Sequence, residues 1–187
     1  MCDCLVNDTI FFIKKELSTL YEKYEVESFV SLLLEHFAGI DTAHRLMADG
    51  MAIDAAQAES IADAVRRLKA YEPIQYIIGT VHFYGLMLKV DRRALIPRRE
   101  TEELVETIIG MCRGVSEVLD VGCGSGCIAV SLAKNLSNAN VTAIDVSDEA
   151  IELAKTNAET NGVKINFYRT NILKEWTDST TYDLIVS

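Results

Sequence analysis

The run Asp120-Val121-Gly122-Cys123-Gly124-Ser125-Gly126 concentrates the residue types from which a ligand site is built. It follows a short apolar strand signal, Val118 to Val121, and precedes a helical one, Ile128 to Leu136. That is the context a nucleotide-type loop needs. Glycines permit a tight turn and let backbone come close to a ligand. The spacing here is G-x-G-x-G. The dinucleotide fingerprint places its third glycine one position later, for helix packing beside a pyrophosphate. The shorter spacing therefore points to a ligand without phosphates, and S-adenosylmethionine is such a ligand.

A second strand signal, Val141 to Ile144, ends at Asp145, about twenty residues after the loop. A carboxylate there can accept both ribose hydroxyls of an adenosine. The competing reading is a helix-capping aspartate near Ser147. Asp120 stands between two roles, contact with the ligand's amino group and bracing of the loop. After the third strand comes Thr170-Asn171-Ile172-Leu173, where the adenine would lie in a doubly wound sheet. Asn171 could read the adenine edge and Ile172 could pack on the ring. The alternative is an ordinary polar turn. The candidate cofactor-binding residues are thus Gly122, Cys123, Gly124, Ser125, Gly126, Asp145, Asn171 and Ile172. No metal ligand is assigned.

The elements that must position these groups follow from periodicity. From Glu117 onward strands and helices alternate. Ser147 caps a helix ending near Gly162, and Lys164 to Tyr168 and Tyr182 to Val186 are further strands. Such alternation predicts a parallel sheet with right-handed crossovers. Upstream, Val81 to Tyr84 and Leu86 to Val90 flank Gly85 as a hairpin. Glu102 to Met111 reads as an amphipathic helix with Leu104, Val105, Ile108 and Ile109 apolar. The first seventy or so residues read as helices, with no alternating strand pattern. The first carries Ile10, Phe11, Ile13, Leu17, Leu20 and Tyr21 after the cap candidates Asp8 and Thr9. The second runs from about Ser28 to Ala38 and stops at Gly39. The third spans Asp41 to near Gly50. The fourth runs from about Asp54 to Ala70, with Ile61, Val65 and Leu68 on one face, and ends before Pro73. The fold class is α/β: a helical bundle over 1–75, a linker with a β-hairpin over 76–98, and the first half of a Rossmann-like domain over 99–187.

Composition narrows the partners. The chain has 187 residues, 49% of them hydrophobic, and a net charge of −10. No stretch approaches the ~18 to 20 apolar residues of a membrane span. Met1 to Asp8 has no basic region of a signal peptide. Acidity argues against nucleic acid, and the short cluster Arg92, Arg93, Arg98 and Arg99 reads as a solvated loop. Five cysteines, an odd count without secretory context, imply reduced thiols in a cytosol. Cys2-x-Cys4 lacks a second ligand pair for a metal. His36, His44 and His82 read as structural or exposed.

Five stretches make the sequence resemble the HemK/PrmC-type methyltransferases, which methylate the glutamine side-chain amide in the GGQ motif of peptide chain release factors. They are Glu72-Pro73-Ile74-Gln75-Tyr76-Ile77-Ile78-Gly79, Phe83-Tyr84-Gly85-Leu86, Leu95-Ile96-Pro97-Arg98-Arg99-Glu100-Thr101-Glu102, the glycine loop with Asp145, and Tyr182-Asp183-Leu184-Ile185-Val186-Ser187. The resemblance implies S-adenosylmethionine as cofactor, release factors as protein partners in translation termination, and a helical domain that recognises the substrate. It also implies a cytoplasmic setting. The last stretch leads, in the family, straight into Asn-Pro-Pro-Tyr. The amide's N–H groups would donate to that Asn side chain and a Pro carbonyl, orienting the nitrogen in line with the methyl group. That tetrapeptide would begin after Ser187, so no catalytic residue is assigned within the chain, and the 187 residues alone are expected to be inert. Their last strand, with an unpaired outer edge, is expected to drive self-association or to be disordered. Two positions depart from the family's pattern: Arg99 where Pro is usual, and Asn171 where an acid is usual. The rival readings are an adenine amino-methyltransferase acting on nucleic acid, a non-catalytic module binding S-adenosylmethionine or a partner, and an NAD-binding domain, which the glycine spacing disfavours.

Overall fold

The computed structural model describes residues 4–46, 50–112, 114–174, 176 and 179–187. The chain divides into two units, Met1–Ile78 and Gly79–Ser187, each with its own apolar cluster.

The first unit holds β1 (Cys4–Leu5), α1 (Val6–Leu17), α2 (Lys23–Ala38), α3 (Thr42–Leu46), β2 (Ala52–Ile53), α4 (Ala55–Lys69) and α5 (Ile74–Ile78). Helical spacing of apolar residues brings Val6, Ile13 and Leu17 of α1, Val30, Leu33 and Leu34 of α2, and Ile61, Val65 and Leu68 of α4 into one core. Helix ends carry their own chemistry. Glu22 and Glu25 form a reciprocal capping box at the start of α2, and Gly39, with φ of 68°, ends it. Asp54 and Gln57 cap α4 in the same way.

Several sequence expectations are corrected here. Asp8 and Thr9 lie inside α1, not at its cap. The helix begins earlier because Leu5 pairs with Ala52 and the Val6 N–H donates to the Met51 carbonyl at 3.0 Å. Thr9 instead turns its hydroxyl back onto the Leu5 carbonyl. The β1–β2 pair is a strand ladder where none was expected, and two residues per strand are too few to show alternation. The second helix starts at Lys23 rather than Ser28, because the capping box lies upstream. The third is described over Thr42–Leu46, and 47–49 of its expected span lie outside the described residues. Pro73, read as the end of a helix, also opens α5: its carbonyl accepts from the N–H groups of Tyr76 and Ile77.

The second unit holds β3 (Thr80–Phe83), β4 (Leu86–Lys89), α6 (Arg99–Met111), β5 (Glu117–Val121), α7 (Cys127–Asn135), β6 (Asn140–Asp145), α8 (Asp148–Thr160), β7 (Asn166–Arg169) and β8 (Leu184–Val186). The last four strands form a parallel sheet in the order β7-β6-β5-β8. Its middle strands are buried on both faces through their centres, Val118 to Asp120 in β5 and Val141 to Ile144 in β6. Val118, Val141 and Ala143 share a core with Ala129 and Leu132 of α7 and Ile151 and Ala154 of α8. The β3–β4 hairpin turns on Tyr84 and Gly85, with φ of 47° and 73°. Two successive positive φ values match the right-handed twist of the strands. A tyrosine pays about 1 kcal/mol for that conformation, and the Tyr84 N–H is held at 2.6 Å by the Glu102 carboxylate of α6.

Removal of the α4 cap by Asp54→Ala is expected to lower the stability of the first unit by about 1 kcal/mol. Urea unfolding followed by helical circular dichroism checks it; an unchanged midpoint contradicts the capping role.

Candidate ligand-binding site

Parallel register brings one end of every strand to a common edge. Val121 faces Ile144, Asp145 faces Arg169, and Asp120 faces Val186. The carboxyl ends of β5, β6 and β7 and the glycine loop therefore meet there, the place where open α/β sheets bind ligands.

The loop turns sharply because Gly122, Gly124 and Gly126 all adopt positive φ, at 75°, 54° and 78°. The N–H groups of Gly122 and Cys123 both donate to the Ile144 carbonyl, at 2.8 and 3.0 Å, tying the loop to β6. The glycines do different work. A Cβ on Gly122 would meet nothing within 4 Å, and one on Gly124 only the Ala94 side chain at 3.7 Å. A Cβ on Gly126 would lie 2.9 Å from the Cβ of Ala154. Two glycines thus leave a cradle open, and the third lets α7 start against α8. Close helix packing, which the sequence argument tied to a glycine one position later, is done here at the shorter spacing.

Gly126, at the α7 N-cap position, has no side chain to cap with. Asp120 reaches across from β5, and its Oδ2 accepts from the Ala129 N–H at 3.1 Å. A carboxyl group thus takes the Ala129 N–H in the first turn of α7, one of the donors that a helix start leaves without an intrahelical partner. Asp120 is 1% exposed. Burial pushes its carboxyl up to about 7, and the nearby Asp145 adds to the rise while the Ala129 hydrogen bond opposes it. Of its two sequence-stated roles, bracing is the one these contacts display.

Asp145 is half-buried and sits between two loops. Its Oδ2 accepts from the Gly124 N–H at 2.9 Å and its Oδ1 from the Ser147 N–H at 3.0 Å. The cap of α8 is Ser147 itself, whose hydroxyl accepts from the Ala150 N–H. The capping reading of Asp145 therefore passes to its neighbour. Each carboxylate oxygen keeps further acceptor capacity.

Ser125 and Cys123 are buried, and the Asp145 carbonyl accepts from Thr170, folding the segment after β7 back to this edge. Asn171 closes a local turn, its Oδ1 accepting from the Leu173 N–H at 3.0 Å. Ile172 is exposed, as are Val146, directly after β6, and Tyr168 near the end of β7. Burial raises both loop thiols, Cys127 to about 11 and Cys123 further, so neither is a thiolate nucleophile at neutral pH. Among the described residues no group of three or more His, Cys, Asp or Glu could hold a metal ion. Cys2 of the Cys2-x-Cys4 pair lies outside them. No helix among them is long and apolar enough to cross a membrane.

Asn157 was missed by sequence reasoning. It is wholly buried on α8. Its Nδ2 donates to the Ser125 carbonyl at 2.9 Å and the Lys89 carbonyl at 3.0 Å, and its Oδ1 accepts from the Lys89 N–H at 2.7 Å. The signal that could have found it is an amide at helical spacing from Leu153 and Ala154, on a face otherwise apolar.

Comparison with known proteins bears on both units. Residues 13–79 match the family model described as PrmC N-terminal domain, and residues 100–187 match the one described as Methyltransferase small domain. A release factor glutamine methyltransferase of Flavobacterium psychrophilum is 43% identical over 176 residues, which is 91% of this chain and 62% of that protein. One from Bacteroides thetaiotaomicron is 36% identical over 183 residues, 97% of this chain and 66% of that protein. One from Streptococcus pneumoniae is 40% identical over 175 residues, 93% and 61%. The chain thus spans 61 to 66% of the length of these relatives.

Two outcomes test the site's construction. Gly126→Ala is expected to destabilise the second unit by about 1 to 3 kcal/mol, from overpacking on Ala154 at a left-handed φ; a wild-type thermal midpoint contradicts the packing role. Asp120 makes stability depend on pH. Its folded carboxyl, raised from 3.8 to about 7, keeps a proton that the unfolded chain releases between those values. Stability from this residue therefore falls as pH rises through that window and levels off above it. Asp120→Asn retains an acceptor for Ala129 and should gain on the wild type as pH rises from about 4 to about 8. Denaturant midpoints across that range check this, and a constant difference refutes it.

Proposed function

The chain belongs to the PrmC family of methyltransferases, and we propose on that premise that the protein transfers a methyl group from S-adenosylmethionine to the GGQ glutamine side-chain amide of peptide chain release factors. The observation that carries this reading is the open cradle over Gly122 and Gly124 beside a carboxylate anchored to the loop by the Gly124 N–H. That arrangement fits a nucleoside with an amino-acid tail. Backbone approaches the ligand where no Cβ intervenes, and an acceptor waits for ribose hydroxyls.

In this reading Asp145 accepts the ribose hydroxyls and thereby also fixes the loop that holds it. Gly122, Cys123 and Gly124 line the amino-acid end, with Ser125 and Gly126 setting the turn. Ile172 packs on the adenine, and Asn171 shapes the turn around it. S-adenosylmethionine, when bound, supplies an electrophilic methyl group on a sulfonium. The residues of this chain bind and orient, without a covalent intermediate. The Asp120↔Val186 register brings the end of β8 to the loop's edge. An Asn-Pro-Pro-Tyr segment following Ser187, as in the resembling family, would hold the acceptor amide at that edge. The helical unit serves recognition of the protein substrate, and the setting is the cytoplasm, where release factors act.

Titration of the chain with S-adenosylmethionine and with NAD is expected to give the tighter binding with S-adenosylmethionine; the reverse order overturns the donor assignment. Asp145→Ala should lose about 1 to 3 kcal/mol of that binding, because hydroxyls lose a charged acceptor. With labelled donor, a protein of the relatives' full length carrying this sequence should label a release factor and not adenine-containing DNA. Label in DNA alone would transfer the case to an adenine amino-methyltransferase.

A further inference from the structure

Hairpin geometry leaves one edge of β4 without a strand. Phe83 and Leu86 flank the two-residue turn and form a hydrogen-bonded pair, as do Val81 and Leu88. Met87 and Lys89 sit at the alternate, non-bonded positions, so their N–H and C=O groups point away from β3. Asn157 of α8 and Asn161 at the C-cap of that helix, one helical turn apart, meet them. Asn157 takes both the N–H and the carbonyl of Lys89. The Asn161 Nδ2 donates to the Met87 carbonyl at 3.0 Å and to the Asn157 carbonyl at 2.9 Å. Side-chain amides thus stand in for a third strand.

Asn157 does one thing more. The second N–H of its Nδ2 donates to the carbonyl of Ser125, inside the glycine loop. The position demands two donors and one acceptor on a short side chain, and asparagine supplies that set. Aspartate lacks the donors and serine the count. The carbonyl it grips lies one residue from Gly124, whose N–H holds Asp145. A continuous set of hydrogen bonds therefore runs from the hairpin through Asn157 to the loop and on to the acidic residue at the sheet edge.

We infer that Asn157 is a positioning residue for the donor site: it sets the glycine loop by locking the Ser125 carbonyl to the edge of the β3–β4 hairpin. The inference rests on the reading of the loop and Asp145 as the S-adenosylmethionine site. Asn161 docks the same hairpin without touching the loop, so it separates positioning from simple docking.

The test compares three variants of the chain by calorimetric titration with S-adenosylmethionine and by amide hydrogen exchange. Asn157→Ala is expected to weaken binding at least tenfold and to speed exchange at Gly124, Ser125 and Gly126. Asn157→Asp keeps the size and the acceptor for Lys89 but not the donor to Ser125, and should behave like Asn157→Ala at the loop. Asn161→Ala should speed exchange in β4 yet leave donor affinity within twofold and loop exchange unchanged. In the wild type, the Nδ2 protons of Asn157 should exchange slowly with solvent by nuclear magnetic resonance, a reading that needs no variant. Wild-type affinity and loop exchange in both Asn157 variants would overturn the inference. So would fast exchange of the wild-type Nδ2 protons, or an equal loss of affinity in Asn161→Ala. If the wild type shows slow Nδ2 exchange but no affinity for S-adenosylmethionine, the donor-site reading fails and the loop-to-hairpin lock stands as structure alone.

Discussion

The start of α7 has amide groups that need an acceptor, and its N-cap residue is a glycine that cannot provide one. Asp120 answers that need from the strand before the loop, with its Oδ2 on the Ala129 N–H. The solution is costly, since a carboxylate is buried almost completely and its proton affinity rises. It also has consequences along the chain. The loop must be short enough for Asp120 and Ala129 to meet, and Gly126 must lie against Ala154 without a side chain. Loop length and helix packing follow from one capping problem solved from a distance.

Around this loop the second unit is held by amide hydrogen bonds as much as by apolar packing. Asp145 joins Gly124 to Ser147, the Ile144 carbonyl receives two loop N–H groups, and Asn157 joins Ser125 to Lys89. Loops with open space above them have few van der Waals contacts to hold their shape. Directed hydrogen bonds do this without filling the space a ligand needs, and the conformation is then prepared before binding. The β3–β4 hairpin, far upstream in sequence, becomes part of that preparation. Its strained Tyr84 turn is fastened to α6 by Glu102 and its outer edge to α8 by two asparagines.

The first unit is organised differently. Its stability rests on apolar faces of α1, α2 and α4 that share one core, with reciprocal caps defining where α2 and α4 begin. Its polar contacts are mostly closures: Tyr21 donates to the Leu68 carbonyl, and Arg67 takes the Glu72 carboxylate at the bend into α5. No open cradle beside an anchored carboxylate, of the kind found at the glycine loop, occurs among its described residues.

Read alone, the sequence determined the alternation of strands and helices after Glu117, the glycine turn, the terminal Asp145, and the helical character of the first seventy residues. These are properties of local pattern: apolar periodicity, φ freedom at glycine and capping preference act over a few residues. The segments around Pro73, Tyr84 and Pro97 carried the family resemblance, because they are less widely shared than a glycine loop. Local pattern was mistaken where a distant partner overrode it. The α1 start moved past Asp8 and Thr9 because Met51 supplied an acceptor, and the β1–β2 ladder was too short to leave a pattern. The Ser147 cap of α8 was legible too, whereas only tertiary structure decided that Asp120 caps α7 and that Asn157 bridges the hairpin and the loop. Both depend on which donor reaches which acceptor across a turn of the fold, nine residues apart for Asp120 and Ala129 and 32 for Asn157 and Ser125. A hydrogen bond's geometry is set by folded distance, which spacing along the chain does not encode.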